Sequence, residues 1–377
     1  TYYWRAYALD PNGINVWSAA SDTGSFTTFA TAANYWVGRW LIGDLLWSNT
    51  NNWSRKALPV AGDHVRFGGS GGFFDGNCTI NLTNVPGPLA SLTLDYDYVR
   101  TVAFNTNAVV GSGVERMLLI VSNAIAILAG NLTFKGDTTA TNEVSGGTST
   151  NKHGIGYTIE ASSLFIDTGG SLNANGMGFP RITGPGNGGN NSFKRGGGHG
   201  GQGWNYDLTN GLTYGSMLYP SALGSGGSDS VYGGAGGGAL KLLVTGTATI
   251  NGALSAHGND HGGWIDLGGA GAGGSLILAC ESLAGTGTIG ANGGGPDATG
   301  GGGGGRILIL FGGTAKQRRE ILAWTLLETA TKAVLIPSNF NTNNITVDGG
   351  GTAGSCGEDG TRVYRKASVP GSMVTIR

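Results

Sequence analysis

GGAGGGALKLLVTGTATINGALSAHG, residues 233 to 258, and GGAGAGGSLILACESLAGTGTIGANG, residues 268 to 293, are two copies of one pattern. A third copy begins GGGGGGRILILFGG at Gly300. Ala256-His257-Gly258 and Ala291-Asn292-Gly293 close the first two copies, 35 residues apart. Older closes are Ser171-Leu172-Asn173-Ala174-Asn175-Gly176 and, more faintly, Asn131-Leu132-Thr133-Phe134-Lys135-Gly136. A repeat of this size is one supersecondary unit and cannot bury its apolar side alone. It must stack on its neighbours, which predicts an all-β chain wound as a glycine-rich parallel β-solenoid. In register, Leu240, Leu276 and Ile307 share one position, and Leu242, Leu278 and Ile309 another. Positions two apart in a strand point the same way, so both sets are expected inside.

The segments between each close and the next strand vary in length: 177–238, 259–274 and 294–305. Insertions at one place in a repeat map to one face, so 177–238 is read as a loop insertion. Ordering the glycine runs is costly. Fixing Gly300 to Gly305 costs roughly 6–12 kcal/mol of backbone entropy. The runs are therefore either flexible loops or extended threads packed backbone on backbone, and their recurrence beside every strand favours packing. They do not cradle phosphate, because no G-K-[S/T] follows any run and each precedes a strand.

Glycine supplies 74 of 377 residues, nearly three times the usual share of about 7%. There is no strict three-residue repeat, which excludes collagen. Charged residues make up 12% and the net charge is −1. With no basic stripe, nucleic acid is not an expected partner. No apolar run reaches the ~18 residues of a membrane span. Thr1-Tyr2-Tyr3-Trp4 reads as strand, so the start is expected to have been processed away or the chain to be a piece of something longer. Cys78, Cys280 and Cys356 lie far apart with no CxxC, and idle thiols are expected.

Along the chain, Thr1 to Thr28 alternates as paired strands do, with a turn at Asp10-Pro11-Asn12-Gly13 and a second strand at Asn15-Val16-Trp17-Ser18. TYYWRAYALDPNGINVWS resembles the last two strands of a fibronectin type III domain, with Tyr2 at the corner tyrosine and Trp17-Ser18 as the closing W-S. This gives a partial domain at 1–30. Trp47-Ser48-Asn49-Thr50-Asn51-Asn52-Trp53-Ser54, followed by Pro59, Gly62-Asp63 and Val65-Arg66-Phe67, resembles the opening segment of bacterial surface proteins with autotransporter-like β-helical repeats. The resemblance implies that these tryptophans cap the open end of a solenoid, within a β-rich cap and first rungs at 35–136. Residues 137–377 resemble the glycine-rich repeats of large secreted bacterial proteins, adhesins among them. The resemblance rests on the G-rich run, the strand, the T-I-x-A-N-G close and the final G-x-D-G-T-x-V-Y. It implies an extracellular or cell-surface location and structural or adhesive use. One helix is predicted at 314–333, capped by Thr314, with Ile321, Trp324 and Leu327 as its apolar stripe.

Catalytic chemistry finds little purchase. Asp95 with Asp97, and Asp260 with Asp266, are the paired carboxylates available, but neither pair has the partners that a glycosidase or lyase requires. His199, His257 and His261 lie in glycine loops, where i, i+4 spacing builds no metal site. No G-x-S-x-G elbow occurs. Lys194-Arg195 reads as an exposed basic pair. No catalytic, cofactor-binding or metal residues are assigned, and no cofactor is expected. Aromatic residues crowd the insertion. Trp204, Tyr206, Tyr214 and Tyr232 are candidate ligand contacts, suited to sugar stacking or protein contact; the other outcome is a satellite core. Tyr2, Trp4 and Trp17 are candidate subunit contacts, because a lone hairpin leaves edges that a neighbour can pair. The expected function is that of an extracellular structural protein, a subunit of a surface fibre or filament or an adhesin repeat region, self-associating and touching glycans or a cell surface. The alternatives are a carbohydrate-active β-helix enzyme and a phage-type receptor-binding tip.

Overall fold

Stretches such as Ser91-Leu92-Thr93-Leu94 alternate small polar and apolar residues, and the apolar members are buried, as a pleated backbone requires. In the computed structural model, residues 2–4, 24–26, 33–38, 44–68, 76–81, 84–85, 87–105, 109–110, 117–141, 152–190, 194–204, 211–262, 268–295, 300–324, 339–351 and 354–367 are described. The chain divides into Thr1–Ala32 and Ala33–Arg377. In the first unit, β1 (Tyr2–Trp4) pairs antiparallel with β2 (Gly24–Phe26), Tyr2 opposite Phe26. The strand expected at Asn15 to Ser18 lies outside the described residues.

The second unit is mostly β. Its early strands are β3 (Asn34–Trp36), β4 (His64–Phe67), β5 (Cys78–Ile80), β6 (Asn84–Val85), β7 (Ser91–Leu94), β8 (Thr101–Phe104) and β9 (Val109–Val110). Two 17-residue strands follow, β10 (Leu118–Phe134) and β11 (Tyr157–Asn173). The glycine-rich repeats supply β12 (Ala239–Val244), β13 (Thr247–Ile250), β14 (Ala253–Ser255), β15 (Ser275–Cys280), β16 (Ser282–Ala284), β17 (Thr288–Gly290) and β18 (Arg306–Phe311). The helix α1 (Ala315–Trp324) comes next, then β19 (Ile345–Thr346) and β20 (Thr361–Lys366).

Every pairing between these strands is parallel, and they form one open sheet in three series. One series runs β3, β4, β7, the middle of β10 and of β11, β13 and β16. A second runs β5, β8, the ends of β10 and β11, β14, β17 and β19. A third runs β6, β9, the starts of β10 and β11, then β12, β15, β18 and β20. The long strands β10 and β11 belong to all three.

Parallel pairing in register puts like residues over like. Leu240 faces Leu276 and Leu276 faces Ile307; Leu242 faces Leu278 and Leu278 faces Ile309. All six are buried, as their shared repeat position predicts. Leu132, Leu172, Leu254, Ile289 and Ile345 form a matching column in the second series. Beside β3 and β4, Trp36, Trp47 and Trp53 are buried over Phe67, with Trp47 and Trp53 ring centroids 4.6 Å apart and Trp53 to Phe67 6.0 Å. The indole N–H of Trp53 donates to the Trp47 carbonyl at 2.9 Å, and that of Trp36 to Gly76 at 3.1 Å. The outer edge of β3 is closed as well, because Ser54 N–H donates to Tyr35 and Val37 N–H to Asn52.

The helix begins as expected. Thr314 Oγ1 accepts from Gln317 N–H at 3.2 Å, and Gln317 Oε1 accepts from Thr314 N–H at 2.8 Å, a reciprocal cap. Where described, the helix covers 315–324; Leu322 is buried and Ile321 partly buried beside it, and the Trp324 side chain lies outside the described residues. Leu327, placed in the expected stripe, lies outside the described residues. Arg318 is buried and donates to the carbonyls of Gly312, Gly313, Val244 and Thr245, tying the helix to β12. Ile277, Ala279, Leu308 and Leu310, the outward residues of β15 and β18, are thereby covered.

Candidate functional site

The glycine runs are ordered threads. In 268–275, Ala270 and Gly273 donate to Gly300 and Gly303, both at 2.9 Å. Gly271 and Gly274 donate to Asn259 and Ala256, at 2.9 and 2.7 Å, and Ala272 donates to Ser225 at 2.9 Å. Successive N–H groups thus leave in three directions and return to the same neighbour every third residue. That is the period of polyproline II, which makes no internal hydrogen bonds and so sends every one sideways. The next thread repeats the pattern. Gly301 and Gly304 donate to Ser355 and Glu358, Gly302 and Gly305 to Gly294 and Ala291, and Gly303 to Gly197. A β-carbon at Gly302 would overlap the Gly271 carbonyl oxygen, and one at Gly273 that of Ala291. The threads touch backbone to backbone, which accounts for the residue type.

The insertion 177–238 is built the same way where described. Gly224 and Gly227 donate to Gly237 and Gly234 at 2.8 and 2.9 Å, and Gly197 donates to Ala270 at 2.9 Å. It forms a further layer on the bundle.

Between that layer and β18 lies a polar cluster. His199 is wholly buried, and its Nδ1–H donates to the Gly273 carbonyl at 2.9 Å. Its Nε2 meets no partner among the described residues. Burial, then the neighbouring Arg306 guanidinium, lower the His199 pKa to about 3. Arg306 donates through Nε and Nη2 to the Tyr214 carbonyl at 3.1 and 3.0 Å, and through Nη1 to Thr361 Oγ1 at 3.0 Å. The Tyr214 ring lies 4.9 Å from His199 and 5.0 Å from His153. Its hydroxyl donates to the Leu223 carbonyl and accepts from Ser225 Oγ at 2.9 Å. Burial pushes that hydroxyl's pKa upward. Apart from His199 Nε2, the polar groups named here bond within the chain, and the cluster joins the insertion to β18 and to the thread ahead of β15.

A second constellation runs through the A-x-G closes. Asn175 Oδ1 accepts from His257 N–H at 2.7 Å, His257 Nδ1 from Asn292 N–H at 2.9 Å, and Asn292 Oδ1 from Asp348 N–H at 3.0 Å. Each middle residue holds its counterpart in the next repeat. His257 therefore has its lone pair engaged, and burial lowers its pKa.

The other sequence-derived candidates separate. Trp204 is half-buried, its indole N–H donating to the Gly354 carbonyl at 3.0 Å. Tyr232 is half-buried, and its carbonyl accepts from Gly262 N–H at 2.7 Å. Tyr214 faces inward. Tyr206, Trp17 and Asp266 lie outside the described residues, and Tyr2 and Trp4 form the backbone of β1. Asp95, one of the paired carboxylates, opens a turn and takes a bidentate pair from Arg66, at 2.8 Å to Oδ1 and 3.0 Å to Oδ2. Arg195, expected exposed, is 6% exposed and is held by backbone bonds to Ser228. No group of three or more His, Cys, Asp or Glu suited to a metal occurs among the described residues. Cys78 and Cys280 are buried, and burial raises the Cys280 thiol to about 12.

The polar cluster was missed in the sequence, although a signal existed. Arg306 stands in register with Ser275 and Thr361, at a position otherwise small. No protein family, no curated protein and no solved structure matches this chain.

Proposed function

We propose that this chain is an extracellular structural protein, a subunit of a surface fibre or filament, and that its parallel strands wind as a β-solenoid with the glycine threads as a stiff flank. The observation that carries this is the thread bundle. Backbone donors and acceptors are spent on neighbouring threads, and buried polar side chains such as His199, Arg306 and Arg318 bind carbonyls of the chain itself. Such a body is suited to bearing load and holding shape. Repeat architectures of this kind expose long lateral surfaces and use them for assembly. The N-terminal hairpin supplies edges that a neighbouring copy can extend by strand addition.

A receptor-contact tip is the second reading. It is favoured by the turns that join the threads, where Trp204 reaches Gly354 and Tyr232 reaches Gly262. Half-exposed rings there suit glycan stacking. Negative-stain electron microscopy of the purified chain, paired with a glycan-binding panel, tests both. Polymers support the fibre subunit. Discrete particles that bind a glycan, with binding lost in Trp204→Ala, support the tip. Discrete particles without glycan binding reject both, and release of cleaved sugar would favour an enzyme.

A further inference from the structure

We propose that the insertion 177–238 is an acid-operated latch: neutral His199 pins it to the glycine thread ahead of β15, and protonation of His199 releases it. The geometry leaves one place for an added proton. Nδ1–H is engaged with the Gly273 carbonyl, so the proton must go to Nε2, which has no acceptor among the described residues. Burial, Arg306 and His153 oppose the resulting charge, and only the backbone at Gly273 and Gly274 favours it. Arg306 projects from β18, its Nη2 donating to the His199 carbonyl at 3.4 Å. His153, ahead of β11, is the second imidazole of the cluster, and Tyr214 stands between the two rings. The thread 268–275 offers only carbonyls. From the thread 355–360, Glu358 accepts from Gln202 N–H at 3.4 Å rather than from His199. A buried charge without a counterion is expelled or breaks its surroundings.

Side-chain bonds of this cluster join the backbone bonds of the threads in holding the layer. Arg306 grips the Tyr214 carbonyl and Ser275 Oγ donates to the Ala222 carbonyl at 2.6 Å, beside backbone bonds such as Gly197 to Ala270 and Gly200 to Gly304. On the layer's underside Phe179 and Leu223 share one apolar cluster with Ala239 of β12, and Tyr219 shares another with Ile277 and Leu308. Release would bare apolar surface while leaving the pairing of β10 with β11 untouched.

His199 has a folded pKa of about 3 against an ordinary value of 6.5. Its stabilisation is complete above the ordinary value and is lost as pH falls from there toward the folded one. At pH 4.5 the open form should be favoured roughly 100-fold more than at neutral pH. Hydrogen exchange of the full chain at pH 7.5 and 4.5, read by mass spectrometry and corrected for intrinsic rates, tests this. Amides of 194–204 and 211–238 should lose protection at pH 4.5 while those of β10 and β11 keep theirs. Equal protection of the insertion at both pH values overturns the latch. So does parallel loss in β10 and β11, which would mean global acid unfolding. These wild-type outcomes stand whether or not a variant folds. In a folded His199→Gln chain the pH response should vanish, whereas in His257→Asn it should persist. A response retained in His199→Gln, or one abolished only by His153→Gln, also overturns it.

Discussion

At Gly273 the Ala291 carbonyl oxygen occupies the space a side chain would need, while at Gly262 the nearest atom to an added β-carbon is 4.0 Å away. The pair makes a matched test. Gly273→Ala should destabilise by about 1–3 kcal/mol, as overpacking does, whereas Gly262→Ala should leave thermal unfolding nearly unchanged. Equal melting of the two variants would mean that the threads yield freely. His257 offers a second test at this scale. It stands where Asn175 and Asn292 stand and accepts the next repeat's N–H. His257→Asn should therefore keep stability, and His257→Ala should lose roughly 0.5–1.5 kcal/mol by denaturant unfolding. The need for glycine was legible in the sequence, because the entropic cost of ordering such runs demands close packing in return. The role of His199 was not. Nothing in Gly198-His199-Gly200 says that Gly273 and Arg306, 74 and 107 residues away, will enclose it.

Strands were the most legible elements, since a parallel register stacks a repeat on itself and an aligned sequence already states its own neighbours. Leu278 lies between Leu242 and Ile309, as that alignment requires. Leu278→Ala should cost about 2–5 kcal/mol, measured as a shift in the urea midpoint at constant slope. A loss under 1 kcal/mol would argue against tight stacking in this column. For the helix, the cap at Thr314 and the inward side of Ile321 were legible, and the anchoring role of Arg318 was not. Arg318 reads as a solvated charge, yet four carbonyls at the ends of β12 and β18 make it the anchor. Thr314→Ala should cost about 1 kcal/mol and should raise exchange in 315–318 before it affects β15. The insertion was legible only as an excess of aromatics and glycine. Its threads bond to 234–238, 268–272 and 300–305, and the choice of partner thread leaves no trace in a side chain.

Across the whole molecule the two units differ in kind. The first unit's β1 and β2 form a short antiparallel pair, and a lone two-stranded pair is marginal in water. Under the fibre proposal, deleting residues 1–28 should abolish polymers seen by electron microscopy while the circular dichroism of the rest is kept. Polymers unchanged by the deletion would remove the hairpin from assembly. In the larger unit Trp36, Trp47 and Trp53 cover the apolar side of β4, and backbone bonds to Asn52 and Ser54 occupy the outer edge of β3, so strand addition at β3 is blocked. The three-residue hydrogen bonding of the threads also bears on how the molecule comes together in time. One polyglycine segment looks like any other to a prospective partner, so a thread carries almost no address of its own. The address resides in the aliphatic strands on either side, and these must dock before a thread can find its neighbours. Nucleation therefore falls to β10 and β11, whose contact is the longest in the sheet, and the glycine layers freeze last. In pulse-labelled refolding, protection should appear in 118–134 and 157–173 ahead of 268–274 and 300–305. Mistranslated threads, locked one neighbour out of place, would be the characteristic error of a chain that folded in the opposite order.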